Sequence, residues 1–248
     1  MEVQLFPIIV IIYSLTYLEK DYSETDHQTS LAIKSIFAQL LNSIAVPTIV
    51  DYLLKGNIYG ENGLAFNVFY ISLINSFLPP LVKLINPKFY YGLLRSWWER
   101  NPSQMLRTRQ QEFNFSQEFI EFEVGYEYIS VLDIYLFTAF FVSLQPVIVF
   151  FALIGLMLFY WIQKYNVLNR IKRPVPGTSF INNAMFQLVS LGPIFYCLGA
   201  LMWSHFIDSP SSVAYGIPNL VALGFSIAIF LLPFHTLFEI CCMQAEIE

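Results

Sequence analysis

Residues 140–151 read FFVSLQPVIVFF, one glutamine and one proline inside an otherwise unbroken apolar run. The run extends from Tyr128 to Ile162 and stops at Gln163 and Lys164. It is either a single helix kinked at Pro146 or two helices joined by a turn, and the choice fixes the topology of the chain. At 1.5 Å per residue, roughly 35 residues in one helix would span about 52 Å. A bilayer core is only about 30 Å thick. Divided at Leu144-Gln145-Pro146, the two halves are short but sufficient for one crossing each.

Charge gives an independent reading. Of the 13 Lys and Arg, six lie between the end of the preceding apolar segment and this run: Lys83, Lys88, Arg95, Arg100, Arg107 and Arg109. Four follow it: Lys164, Arg170, Lys172 and Arg173. The positive-inside tendency wants both clusters in the cytosol, which requires an even number of crossings between them. A hairpin turning at Gln145 and Pro146 meets that condition; one kinked helix does not.

Outward from the hairpin, composition fixes the class. Apolar residues make up 56% of the 248 and charged residues 12%, and mean hydropathy is +0.56. A soluble domain carries about 25% charge, so this chain is too poor in charge to cover a water-exposed surface. Seven apolar segments stand out, roughly 3–18, 31–54, 64–85, 128–144, 147–162, 185–206 and 217–238. They do not alternate and are too long for strands, and helices satisfy their own backbone groups in hydrocarbon. The expected fold is all-α, a single polytopic bundle of about seven membrane helices with a cytoplasmic linker over 86–127. Alternation then places the N-terminus outside, the Gln145-Pro146 turn outside and the C-terminus in the cytosol. The residence is the plasma membrane or an internal membrane.

Several function classes are excluded or find no motif. The net charge of −5 is diffuse, whereas nucleic-acid binding calls for a basic patch. His27, His205 and His235 lie far apart on different segments, so neither metal-ligand spacing nor a need for a cofactor is visible. No GxSxG, Walker loop or HExxH occurs, and catalysis is not expected. Cys197 reads as a small core residue. Cys241 and Cys242 follow the last apolar segment, where acylation is possible but two ordinary thiols are the simpler reading. His205, Asp208 and Trp203 read as residues of an interfacial aromatic belt. The first segment lacks the basic start and small-residue exit of a cleavable signal, and it begins so near Met1 that the chain is expected to be a piece of something longer.

Function is therefore sought among polar groups where they are costly. In the second segment Gln39, Asn42, Ser43 and Pro47 recur at helical spacing, with Asp51 a turn further. In the third, Asn67, Ile71 and Asn75 share a face flanked by Ser72 and Ser76, and the helix runs into Pro79 and Pro80. In the fourth, Glu127, Ser130 and Asp133 repeat every three residues along one stripe. Each stripe can line a hydrated path, or it can serve as hydrogen-bonding glue between helices. Asp133 lies a turn inside an apolar block, where a carboxylate must be paired, hydrated or protonated. Pro47, Pro79 and Pro80 remove backbone donors and are candidate hinges.

With the hairpin placed, Gln110–Pro174 resembles the seven-helix region of the OSCA family of calcium-permeable, stress-gated cation channels, its protist members in particular. The resemblance is carried by the lead-in from QQEFNF to YEYISVLDIYLFTAFF, by the hairpin SLQPVIVFFALIGL and by the exit YWIQKYNVLNR. The upstream stretch GLAFNVFYISLINSFLPPLVKLINPKFYYGLLRSWW is similar to the preceding family helix and its cytoplasmic exit. The resemblance implies a dimer-forming channel of ten or eleven helices, with one pore per subunit built from the middle helices and a kinkable gate helix. It carries Asn42, Asn67, Asn75 and Asp133 over as pore-lining candidates. The family's early helices and large cytoplasmic domain have no counterpart here, which leaves a fragment, a divergent member or a part needing a partner.

The resulting expectation is a mechanically or osmotically gated, calcium-permeable channel or its core. Its pore-lining candidates are Gln39, Asn42, Ser43, Asn67, Asn75, Ser76, Glu127, Ser130 and Asp133. Its partners are the lipid bilayer, permeant cations, and a second copy or other subunits. A lipid scramblase, to which the anoctamin relatives of that architecture incline, and a non-conducting structural subunit are the alternatives.

Overall fold

The computed structural model describes residues 24–50, 58–60, 63–85, 90, 94, 124–169, 179–207 and 213–231. Seven helices lie among them. They are α1 (Glu24–Leu40, continued by a π-helical turn at Leu41–Ala45), α2 (Leu64–Ile85), α3 (Val124–Phe141), α4 (Ile148–Asn169), α5 (Ser179–Val189), α6 (Gly192–Ile207) and α7 (Val213–Leu231). No strand occurs among the described residues.

The opening stretch is a turn. Helix α3 ends at Phe141, whose carbonyl accepts from both the Leu144 and Gln145 N–H groups at 3.0 Å. Helix α4 starts at Ile148, and Pro146 stands exposed between them. The chain reverses there, because the two open ends of the hairpin come back to one residue. Glu127, at the start of α3, pairs with the Lys83 ammonium. Asn166, near the end of α4, donates from Nδ2 to the Lys83 carbonyl at 3.0 Å.

Other contacts give the remaining directions. Phe69 meets Phe151 edge-on with centroids 5.2 Å apart, Ser76 meets Gly155, and Lys83 meets Phe159, so α2 and α4 run parallel. Gly125 lies against the Gln28 carbonyl and Asp133 against Ser43, so α1 runs parallel to α3. Tyr135 sits on Gly192 and Phe140 on Gly199, so α6 does so too. Tyr128 bonds Asn182, so α5 runs the same way as α6, and with these two taken as one span the spans alternate in direction along the chain.

Five spans are long and apolar enough to cross a membrane: His27–Val50, Leu64–Ile85, Val124–Phe141, Ile148–Asn169 and Ile181–Ser204. Ile217–Leu231 is a shorter apolar helix. The outward face of α4 carries Phe150, Leu153, Met157, Tyr160 and Trp161, and that of α7 carries Leu220, Val221 and Phe225. Such a belt is stable against lipid and not against water. The chain is an integral, multi-pass membrane protein.

Several boundaries differ from the sequence reading. Among the described residues, α1 is already helical at Glu24, ahead of residue 31, and α3 at Val124, ahead of residue 128. Helix α4 continues to Asn169 rather than ending at Ile162, because Gln163, Lys164 and Asn166 keep helical spacing although they are polar. The single segment 185–206 is two helices, broken at Ser190 and Leu191. Pro193 explains the break: its ring cannot follow a regular turn and its nitrogen has no proton to donate. The segment at 3–18, most of the linker, Asp51, Cys241 and Cys242 lie outside the described residues.

The core is aromatic. Phe137, Phe140, Phe141 and Trp203 interlock, with the Phe141 and Trp203 rings stacked at 5.7 Å. The Trp203 indole N–H donates to the Phe140 carbonyl at 3.3 Å, supplying a partner for the last turn of α3. This corrects the interfacial reading of Trp203, which is 1% exposed and faces the bundle interior. Within lipid the helices gain little from hydrophobic transfer, so close packing and such hydrogen bonds hold them together.

Candidate functional site

Asp133 sits on α3 with 3% of its surface exposed, and three helices converge on it. From α1, Ser43 Oγ lies 3.1 Å from Asp133 Oδ1. From α2, Asn75 Nδ2 donates to Asp133 Oδ2 at 3.4 Å. Both donors are neutral, and among the described residues no ammonium or guanidinium pairs with this carboxyl.

Local backbone chemistry explains how Ser43 arrives there. Pro47 has no N–H for the carbonyl four residues earlier, and its ring would press on it. The helix relaxes into a π turn over Leu41–Ala45, with the Val46 N–H reaching back to the Leu41 carbonyl. Buried Leu40, Ile44 and Thr48 stand across that turn at intervals of four. In a pure α-helix that spacing drifts by about 40° per step; the wider π turn reduces the drift between Leu40 and Thr48. Ser43 also bonds the Gln39 carbonyl at 2.7 Å. A hydroxyl has one proton, so Gln39 and Asp133 share one donor between them.

The carboxylate is thus rich in lone pairs and poor in donors. A buried group of that kind has capacity for a proton or a cation, and a polar neighbour on each of two adjacent helices lines the approach.

A second polar layer lies nearer the end of the bundle that holds Ile85 and Val124. Glu127 is six residues from Asp133 on α3, about 9 Å along the helix, and Lys83 is eight residues from Asn75 on α2, about 12 Å. The Lys83 ammonium pairs with Glu127 and lies 4.3 Å from the centroid of the Phe159 ring on α4. Both charged side chains of this pair are only about a fifth exposed, 23% for Lys83 and 22% for Glu127. Asn166, 2% exposed, clasps the Lys83 carbonyl with Nδ2, and its own Oδ1 has no partner.

The other candidates fall into place around these layers. Asn42 and Gln39 are half-buried on α1, and Asn67 is half-buried two turns before Asn75 on α2. Ser130 stands between Glu127 and Asp133 and makes a long bond to the Tyr126 carbonyl, 3.5 Å. Ser76 is 1% exposed and packs on Gly155, where a side-chain carbon would come 2.5 Å from the Ser76 carbonyl oxygen. Ser72, one turn earlier, is as deeply buried, and its hydroxyl has no partner. Pro79 and Pro80 stand inside α2, which stays helical through both. Gln145 holds the hairpin turn through its backbone, while its side-chain Oε1 is buried and unpartnered.

Sequence reasoning placed Lys83 only among cytosolic basic residues and did not single out Phe159 or Asn166. The signal was present. Ala152, Phe159 and Asn166 recur every seven residues with Gly155 between, the inward stripe of one helix.

No protein-family model and no curated protein matches the chain.

Proposed function

We infer that the chain is a membrane cation channel or the core of one, conducting along the seam of α1, α2 and α3. The observation that carries this reading is the convergence of Ser43, Asn75 and Asp133 from three helices on one buried, donor-poor carboxyl. Polar groups at that depth are expensive and, where they face a bundle interior, mark ion pathways. Asp133 and Glu127 bias the path toward cations.

The resemblance to calcium-permeable, stress-gated channels supplies the stimulus. Tension favours the state of larger cross-section, and α2, with two adjacent prolines below Asn75, is the helix built to bend. Lys83 and Lys164 lie at the end of the bundle opposite the Gln145-Pro146 turn, and the positive-inside tendency supports a cytosolic placement of that end. Seven membrane helices and assembly as a dimer or with other subunits belong to the same reading.

The test is current under stretch in reconstituted bilayers, compared with Asp133→Asn. Stretch-activated cation current that falls in the variant supports the channel. Silence from folded protein at every tension up to rupture overturns it. Flipping of fluorescent lipid without ion current replaces it with a scramblase. Co-purification with fixed partners, together with tolerance of Asn75→Leu and Asp133→Leu, favours a non-conducting structural subunit.

A further inference from the structure

Lys83 points the wrong way for a lysine at a helix end. Such side chains extend toward the headgroups and keep the ammonium in water. Here the Lys83 carbonyl is held by Asn166, whereas its ammonium lies over Phe159, seven residues earlier on α4. Two helical turns, about 10 Å, separate those two positions along α4. The side chain therefore runs inward along the bundle, toward the level of Asn75 and Asp133. The geometry begins with the Cα–Cβ bond, which tilts toward the helix N-terminus and so, on α2, toward the bundle middle.

What receives the ammonium is a set of groups that attract any small cation. The Glu127 carboxylate and the face of the Phe159 ring both contact the ammonium. The Ser130 hydroxyl stands one turn further along α3, on the way to Asp133. One carboxylate and one ring face make a poor cage for calcium, which takes six to eight oxygens. They suit a singly charged ion or a primary ammonium, for which a ring face is a ligand in its own right.

We propose that the Glu127–Phe159 pocket is a monovalent-cation site, filled in this structure by the chain's own Lys83 ammonium acting as a tethered, displaceable plug. This rests on the cation-path reading and adds its regulation. While Lys83 is seated, like-charge repulsion keeps free cations from the layer below Asp133. When it swings out, Glu127 and Phe159 offer the same place to a mobile ion.

The experiment uses the purified full chain in detergent and follows its thermal unfolding midpoint as methylammonium or potassium replaces N-methylglucamine at constant ionic strength. Lys83→Ala should start lower than the unsubstituted protein and rise by several degrees as methylammonium is added. The unsubstituted protein and the double variant Lys83→Ala with Glu127→Gln should not respond. Equal responses in all three forms, or none in Lys83→Ala, overturn the proposal. If Lys83→Ala does not fold, Lys83→Gln, which keeps the stem and a donor toward Glu127, is read by the same criteria. Flux is scored separately. Selective binding to Lys83→Ala without current in any form keeps the site and removes the channel; current that Lys83→Ala leaves unchanged, without selective binding, does the reverse.

Discussion

Gly155 and Ser76 bring α4 and α2 together so closely that a methyl group on Gly155 would stand 2.5 Å from the Ser76 carbonyl oxygen and 2.8 Å from its Cβ. No flexible side chain is available to yield, since the carbonyl belongs to the backbone of α2. Gly155→Ala is expected to wedge the helices apart and cost about 1–3 kcal/mol, the usual range for overpacking. Leu153→Ala, on the outward face, should change stability by about 0.5 kcal/mol or less. Comparing denaturant midpoints of the two variants checks this, and equal shifts would refute the contact.

Asp133 separates charge from shape. Asp133→Asn preserves the outline of the side chain and should fold while carrying less cation current. A loss of about 1.4 kcal/mol in cation stabilisation corresponds to about tenfold in binding. Asp133→Leu leaves Ser43 and Asn75 facing a hydrocarbon and should lower stability by about 1–3 kcal/mol. Measuring flux and unfolding on the same preparations distinguishes the two effects.

At Trp203 the hydrogen bond and the ring can be removed in turn. Trp203→Phe loses the bond to the Phe140 carbonyl and should cost about 1 kcal/mol. Trp203→Ala also empties the stack on Phe141 and should cost about 3–5 kcal/mol. If Trp203→Ala proves as mild as Trp203→Phe, the residue does not stand in the core.

The hairpin predicts sidedness. Single cysteines at Lys88 and Arg173 should react with an impermeant reagent from the same side of a sealed vesicle, and a cysteine at Pro146 from the other. Labelling of Lys88→Cys and Arg173→Cys from opposite sides would break the alternation of the helices.

These tests also mark what the sequence made legible. The reversal at Gln145 and Pro146 was readable because helix length and basic-residue placement are independent and agree. Ser43, Asn75 and Asp133 stood out because a polar residue in an apolar block is expensive wherever it points. Their convergence was not readable, since it depends on the π turn that Pro47 imposes on α1. Nor was the direction of Lys83, because a lysine near a helix end has the same spelling whether it reaches outward or in. The end of α4 was misplaced because Gln163, Lys164 and Asn166 look like a boundary in hydropathy but not in phase. The break before Gly192 followed a visible signal, the proline at 193, masked by an apolar run that continued across it.

The π turn at Leu41–Ala45 makes α1 a place where chain length is adjustable. It holds one residue more than a regular helix would need to join the same two flanks. Deleting one residue there, together with Pro47→Ala, lets the helix close with Ala32 and Thr48 still on their present sides. The same deletion between Glu127 and Asp133 would swing one carboxyl about 100° away from the other. Natural insertions and losses are therefore better absorbed in the first of these helices than in the third.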